Sequence, residues 1–419
     1  MSTPSQQPCL LWNRWEGKLV QLAIFSFGAI SIAFPSGYSV GFIALFLLAL
    51  THIGSQRYWQ ELGHETRMLA LLFMGYFVLN AIAILIDDGI LKNLDRPSRL
   101  FALCLMLPLL CRYRPRFTML LSGVGTGAII AGAIALYDRM QLHMDRAFSD
   151  IMPIQSGNIS LSLALVSLCA LAWYYHKRAY LWSSFYAIAT LFGIMGSLLS
   201  GSRGGWTLFP LLLVIWYLAF RHWFSRRFKL GLVITLVLGC STLLLPQVGF
   251  MERIAETRSD IHGFTSNSNP DTSVGFRLQL WRSALQSFSE KPLLGWGPKG
   301  IRESQKQQYE AGTLSLSAYQ FNSHAHNQYL DHMAKYGLAG LGMLLALFLI
   351  PWRLARQIAR RHGKDSKNYM LAMAAILHIA AVMNYCLSQA FLNHNSGMIF
   401  YPFMLVLLLC CATDEKSTA

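Results

Sequence analysis

Arg112-Tyr-Arg-Pro-Arg116 runs directly into Phe117-Thr-Met-Leu-Leu-Ser-Gly-Val-Gly-Thr-Gly-Ala-Ile-Ile-Ala-Gly-Ala-Ile-Ala-Leu-Tyr137, three arginines followed by 21 uncharged residues. A hydrocarbon core about 30 Å thick needs about 20 apolar residues of helix to cross it, and this run has no polar face to offer water. Working outward, similar runs recur at 19–36, 38–54, 68–86, 98–111, 157–175, 179–200, 205–220, 230–246, 336–353, 369–389 and 396–412. They predict an all-α polytopic membrane protein of about twelve transmembrane helices. Run 98–111 is short, and 38–54 follows its predecessor through Pro35-Ser-Gly-Tyr38 almost without a loop, so ten or eleven spans also fit. Composition agrees: of 419 residues 54% are hydrophobic and 13% charged, too few charges for an ordinary soluble domain.

The net charge of +15 has two readings, nucleic acid or topology. With the N-terminus inside, the inner segments hold 20 of the 35 basic residues, including Arg112, Arg114, Arg116, Arg221, Arg226, Arg227, Arg353, Arg360 and Arg361, against six acids. The inner side is then +14 and the outer side +1, as the positive-inside rule expects, and no nucleic-acid partner is predicted. Both termini are expected in the cytoplasm. The start of the chain lacks a basic segment followed by a cleavage site, so no removable signal peptide is expected. Seven of the eight cysteines sit in apolar runs, without CxxC or Cys/His metal spacing, which predicts neither a disulfide framework nor a zinc site.

This topology divides the chain into transmembrane helices 1–9 (1–245), a long outer connection (246–335), transmembrane helices 10–12 (336–412) and a short cytoplasmic tail (413–419). Long connections inside compact proteins are usually functional. The stretch Ser266-Asn-Ser-Asn-Pro-Asp-Thr-Ser273 is turn-rich. Phe276 to Phe288 then places Leu278, Trp281, Leu285 and Phe288 at helical spacing, which predicts an amphipathic helix lying on the bilayer or capping the bundle. Pro292 and Gly295-Trp-Gly-Pro298 end it, and Asn322-Ser-His-Ala-His-Asn-Gln-Tyr329 leads into the next span. No internal repeat or soluble domain is apparent.

Two outer residue types, histidine and arginine, carry candidate chemistry. His324 and His326 precede a helix whose apolar part begins near Leu338, which puts the imidazoles at or above the outer surface, where a side chain of pKa about 6.5 suits proton transfer. The plain alternative is a helix start capped by histidine. Arg203, in Leu198-Leu-Ser-Gly-Ser-Arg-Gly-Gly-Trp206, occupies a turn too short to carry it far from the bilayer. It either binds an anion or snorkels to lipid headgroups. Arg277 opens the amphipathic segment as a binding residue or a solvated helix start, while Arg282 suits solvent or lipid phosphate. A metal held by His324, His326 and His332 lacks a convincing carboxylate beyond Asp331, and the outer face offers no Asp-rich cluster for magnesium. An imidazole with two permanent guanidinium forks suits a phosphorylated, lipid-linked substrate, because arginine holds phosphate bidentately at any relevant pH.

At these residues the chain resembles the O-antigen ligases and the wider superfamily of membrane glycosyltransferases that includes O-antigen polymerases and protein O-oligosaccharyltransferases. His326-Asn327, nine residues, then Gly337-Leu-Ala-Gly340 fits the family pattern of His, a small amide or hydroxyl residue, nine positions, Gly, two positions, Gly. Arg277-Leu-Gln-Leu-Trp281 followed by Pro292-Leu-Leu-Gly-Trp-Gly297 is similar to the family's long-loop segment, and Ser200-Gly-Ser-Arg-Gly204 to its short-loop arginine. The resemblance implies a GT-C-like fold in the bacterial inner membrane. It implies transfer of a polysaccharide from undecaprenyl pyrophosphate to a sugar hydroxyl of lipid A-core on the periplasmic face, inverting and without a metal or other cofactor. Carried over residue by residue, His326 is the general base, and Arg203 and Arg277 hold the donor pyrophosphate. Arg96 and Arg99 are further candidates for phosphate contact, with interfacial anchoring as their alternative, and His324 is a candidate to share the role of His326. Gly337, Gly340 and Gly342 read as small residues that let the tenth helix pack closely. A lipid-linked saccharide transporter is the reading from another class. Against it stand the missing two-fold repeat and the scarcity of mid-membrane ionisable residues beyond His378, itself read as a packed core histidine.

Overall fold

The computed structural model describes residues 7–87, 91–243, 259, 272–321 and 324–413. The turn-rich stretch up to residue 271, positions 244–246 of the ninth run and the tail beyond Thr413 lie outside them. Among the described residues all regular structure is helical and no strand occurs. The helices are α1 (Gln7–Ile30), α2 (Gly37–Leu50), α3 (Gln56–Gln60), α4 (His64–Ile86), α5 (Ser98–Arg112), α6 (Phe117–Met140), α7 (Pro153–His176), α8 (Tyr180–Leu199), α9 (Phe209–Phe220) and α10 (Arg226–Leu243). After the long connection begins come α11 (Ser273–Glu290), α12 (Gly297–Glu310), α13 (Leu316–Phe321), α14 (Gln328–Arg361), α15 (Lys367–Ser388) and α16 (Asn395–Ala412).

Each of the twelve apolar runs carries a helix, and among the described residues seven helices, α4, α6, α7, α8, α14, α15 and α16, are long and apolar enough to cross a membrane. The helices α2 and α5 have 14 and 15 residues, about 21–23 Å of rise, which is less than the hydrocarbon thickness. The chain is a multi-pass membrane protein by this measure, with seven candidate spans among the described residues.

The chain forms two compact units. One comprises residues 1–81, 91–219 and 343–419, the other 82–90 and 220–342. In the first unit, α1 and α6 cross where glycines meet: a Cβ on Gly28 would stand 2.6 Å from the carbonyl carbon of Gly123. Helix α7 is buried along most of its length, polar residues included: Gln155, Ser156, Asn158, Ser160, Ser162 and Ser167 all face the interior. His378 is fully buried, donating from Nε2 to the Tyr401 carbonyl at 3.2 Å and packing on the Phe400 and Tyr401 rings. That is the environment of a core histidine.

In the second unit, α11 forms where the amphipathic segment was expected, but its buried side is the opposite one. Gln279, Leu280, Ser283, Ala284 and Ser287 face inward, whereas Leu285 is 48% exposed. The reason is the partner: α12 presents Ser304 and Gln308, which are hydrogen-bonded to Ser287 at 2.8 and 3.0 Å, so small polar side chains zip the two helices together. Of the apolar stripe, Leu285 is exposed and Leu278, Trp281 and Phe288 are half-buried.

A second departure concerns Gly337, which is a break rather than a packing residue. The 34 residues of α14 are interrupted there by φ 62° and ψ −153°, separating 328–336 from 338–361. The N–H groups of Leu338 and Ala339 are bonded to the carbonyls of Pro292 and Leu293 at 2.8 and 3.2 Å, and Trp296 N–H donates to the Ala334 carbonyl at 3.0 Å. The segment 292–296 is thereby stitched across the break, satisfying backbone groups that a helix end leaves open. Gly340 does sit in a tight place, against the Tyr336 side chain, whereas a Cβ on Gly342 would meet nothing within 4 Å.

Candidate functional site

The His-bearing turn is built from its cap upward. Asn327 Oδ1 accepts from the N–H groups of Tyr329 and Leu330 at 3.0 and 3.1 Å, an N-cap for the helix that starts at Gln328. The amide of the His-Asn pair therefore does the capping, not the imidazole. Asp331, one turn on and buried, accepts from Ala325 N–H at 3.2 Å and from Lys335 Nζ at 2.9 Å, which pins the backbone between the two histidines. His326 sits at φ 49°, a conformation uncommon outside glycine, and its N–H donates to His324 Nδ1 at 3.1 Å. With Nδ1 accepting, neutral His324 carries its proton on Nε2. The His326 ring stacks on Phe321 at 5.0 Å and meets His324 edge-on at 4.5 Å.

Phe321 links this turn to Arg277. Its ring meets Phe276 at 5.3 Å, and Phe276 packs on the small core of Leu280, Leu314 and Ala318. Arg277 thus stands in the second turn of α11, next to the residue that braces the Phe321–His326 stack. Its guanidinium is partly buried and makes no ion pair among the described residues, and burial pushes it below its ordinary value. Arginine still remains charged at any physiological pH, so the result is a desolvated, uncompensated cation suited to an anionic partner. Arg282 is exposed.

The Arg203 turn belongs to the other unit. Ser202 Oγ donates to Asn158 Oδ1 at 3.2 Å, Ser202 N–H to Ser200 Oγ at 3.2 Å, and Asn384 Nδ2 to the Gly205 carbonyl at 2.8 Å. Gly201 turns through φ 67°. These bonds fix the backbone on either side of Arg203, whose side chain is exposed. Arg96 is exposed too, while Arg99 is paired with Asp95 at 2.8 Å in an i,i+4 bridge, which favours a local structural role for it.

The structure therefore brings His324, His326 and Arg277 into one unit and puts Arg203, Arg96 and Arg99 in the other. His332 faces Gln328, 3.0 Å from its amide, and burial pushes its imidazole down to about 4. No group of three or more His, Cys, Asp or Glu side chains positioned to share a metal occurs among the described residues. Sequence reasoning passed over Asn327 as a cap, although an Asn before a helix is a recognisable start signal. It also missed Phe321, whose role depends on contacts no spacing encodes.

A family model described as O-antigen ligase matches residues 188–345. This stretch is similar to the O-antigen ligase family. The family segment opens in α8 and closes in α14, so it takes in Arg203, Arg277, His324, His326, Gly337 and Gly340; Arg96 and Arg99 precede it. It connects the chain with ligase- and polymerase-class, glycosyltransferase-like enzymes that handle lipid-linked polysaccharide at a membrane. An uncharacterized protein of Haemophilus influenzae is 29% identical over 383 residues, 91% of this chain and 95% of its own length. That similarity reaches well beyond the family segment on both sides.

Proposed function

We propose that the protein is an O-antigen ligase that transfers polysaccharide from undecaprenyl pyrophosphate to a sugar hydroxyl of lipid A-core. The observation that carries this reading is the His326 turn: an imidazole on a capped, pinned helix start, one aromatic contact away from the helix that presents Arg277. His326 takes the proton of the acceptor hydroxyl as its oxygen attacks the anomeric carbon, and the bond from that carbon to the donor's phosphate oxygen breaks. The electron pair leaves on undecaprenyl pyrophosphate and the anomeric configuration inverts. Such a leaving group is already activated, so it needs charge stabilisation more than a proton. Arg203 and Arg277 supply that charge without a metal. His324 positions His326 through its backbone N–H. Arg96 and Arg99 take a lesser part at the headgroup level.

In this reading the N- and C-termini are cytoplasmic, the connection 246–335 is periplasmic and the site opens on the periplasmic face of the inner membrane, as the one-sided basic excess supports. The exposed stripe around Leu285, with Leu293 and Leu294 at 70% and 60% exposure, rests on the bilayer surface. The test is transfer in detergent from undecaprenyl pyrophosphate-linked polymer to purified lipid A-core with chelator present. Wild type is expected to glycosylate lipid A-core and His326→Ala to lose at least about 100-fold in rate. Full activity in His326→Ala refutes the base assignment, and a strict divalent-metal requirement refutes the arginine account. A product that is longer lipid-linked polymer instead of decorated lipid A-core identifies a polymerase.

A further inference from the structure

The connection between α6 and α7 bears on the Arg203 turn in a way its sequence does not advertise. Arg146 Nε donates to the Ser200 carbonyl at 2.9 Å, and the neighbouring Ala147 N–H donates to the Leu199 carbonyl at 3.0 Å. Gly201 passes so close that a Cβ there would lie 3.1 Å from Arg146 Nε. Two non-glycine residues nearby, Phe148 at φ 63° and Met152 at φ 108°, hold left-handed backbone, and such strain concentrates at functional sites. One nitrogen of the fork is thus committed to the turn. Arg146 Nη2 is buried without a hydrogen-bond partner, and no carboxylate pairs with this guanidinium among the described residues.

Two more buried N–H donors around the same turn are unpaired. Gln155, 1% exposed in the first turn of α7, leaves Nε2 open while its Oε1 accepts from Ser396 at 3.3 Å; Trp206, three residues after Arg203, leaves Nε1 open. Asn384 Oδ1 and Ser197 Oγ are buried and unpaired as well. Buried polar groups are rarely left without partners, and a permanent cation with two neutral donors matches a ligand with several anionic oxygens. We propose that Arg146 is a second phosphate-binding guanidinium beside Arg203, and that together with Gln155 and Trp206 it selects a diphosphate over a monophosphate. The proposal rests on the donor reading given above and adds to it the residues that tell the diphosphate from a monophosphate. Phospholipid headgroups share the phosphate chemistry.

The experiment measures binding of undecaprenyl pyrophosphate and undecaprenyl monophosphate to the full-length protein in phosphatidylcholine nanodiscs, repeated with phosphatidylglycerol. Arg146→Gln is expected to weaken pyrophosphate binding about 10–100-fold, the range for losing a charged hydrogen bond, with a smaller loss for the monophosphate. Arg146→Lys keeps a charge and a donor for Ser200 but not the fork, so it should fall between; it also reports if Arg146→Gln fails to fold. Equal loss for both lipids, or none while Arg203→Gln loses binding, overturns the Arg146 assignment and leaves the donor site standing. Wild type that prefers neither lipid to undecaprenol overturns the donor reading itself. An effect of Arg146→Gln that tracks phosphatidylglycerol content alone assigns the residue to lipid headgroups and overturns the diphosphate role.

Discussion

Replacing Gly337 by alanine tests the break in α14 independently of any activity. Gly337 holds φ 62° and ψ −153°, a region essentially reserved for glycine, and an L-residue forced there costs about 1–3 kcal/mol. The added Cβ would also stand within 3.0 Å of backbone atoms of Leu293 and Pro292, which cannot rotate aside as a flexible side chain would. Relief requires moving the 292–296 segment and loosening the bonds from Leu338 and Ala339 N–H, each worth about 0.5–1.5 kcal/mol net. The combined loss is on the order of 2–6 kcal/mol. Gly342, five residues on in the same helix, is the internal control: its Cβ position is open, so alanine there should gain up to about 1 kcal/mol through helix propensity. Thermal unfolding in detergent, read by intrinsic fluorescence, compares the two variants with wild type. Gly337→Ala should melt well below wild type and Gly342→Ala at or above it. If the two glycines respond alike, the stitched break is wrong and both are packing residues.

The cap predicts that Asn327→Ala loses about 0.5–2 kcal/mol, while Asn327→Ser and Asn327→Asp recover most of it, by the same unfolding assay. Transfer rate should follow stability in this series, because the cap sets where the His326 backbone lies. His332, in 328–336 ahead of the apolar run, gives a pH signature. Its folded value of about 4 lies below the ordinary 6.5, so the unfolded chain binds the extra proton first on acidification. The contribution is complete above pH 6.5, falls as pH drops toward 4 and amounts to about 3 kcal/mol at most. His332→Gln should flatten the stability profile between those values, and an unchanged slope would contradict the burial of this imidazole.

Helices were legible because an uncharged run near 20 residues has few other fates. Whether each helix spans the bilayer was less so, since length and charge at its ends decide and the periodic signal does not. Which face of α11 packs on protein was open for a related reason. Spacing located the apolar stripe at Leu278, Trp281, Leu285 and Phe288, but which face a helix buries depends on what its neighbour offers, and α12 offers serine and glutamine.

Sequence alone determined that this is an all-helical membrane chain and singled out His326, Arg277 and Arg203, because span length, one-sided charge and isolated cations are properties of residue type and order. Tertiary structure decided the rest. That Asn327 and Asp331 pin the His turn, that Gly337 breaks a helix to receive residues 292–296, and that Arg146 grips the Ser200 carbonyl are facts about partners 2 to 54 positions apart. A hydrogen bond or a close approach depends on position in space to within a few tenths of an ångström, and no local spacing specifies that.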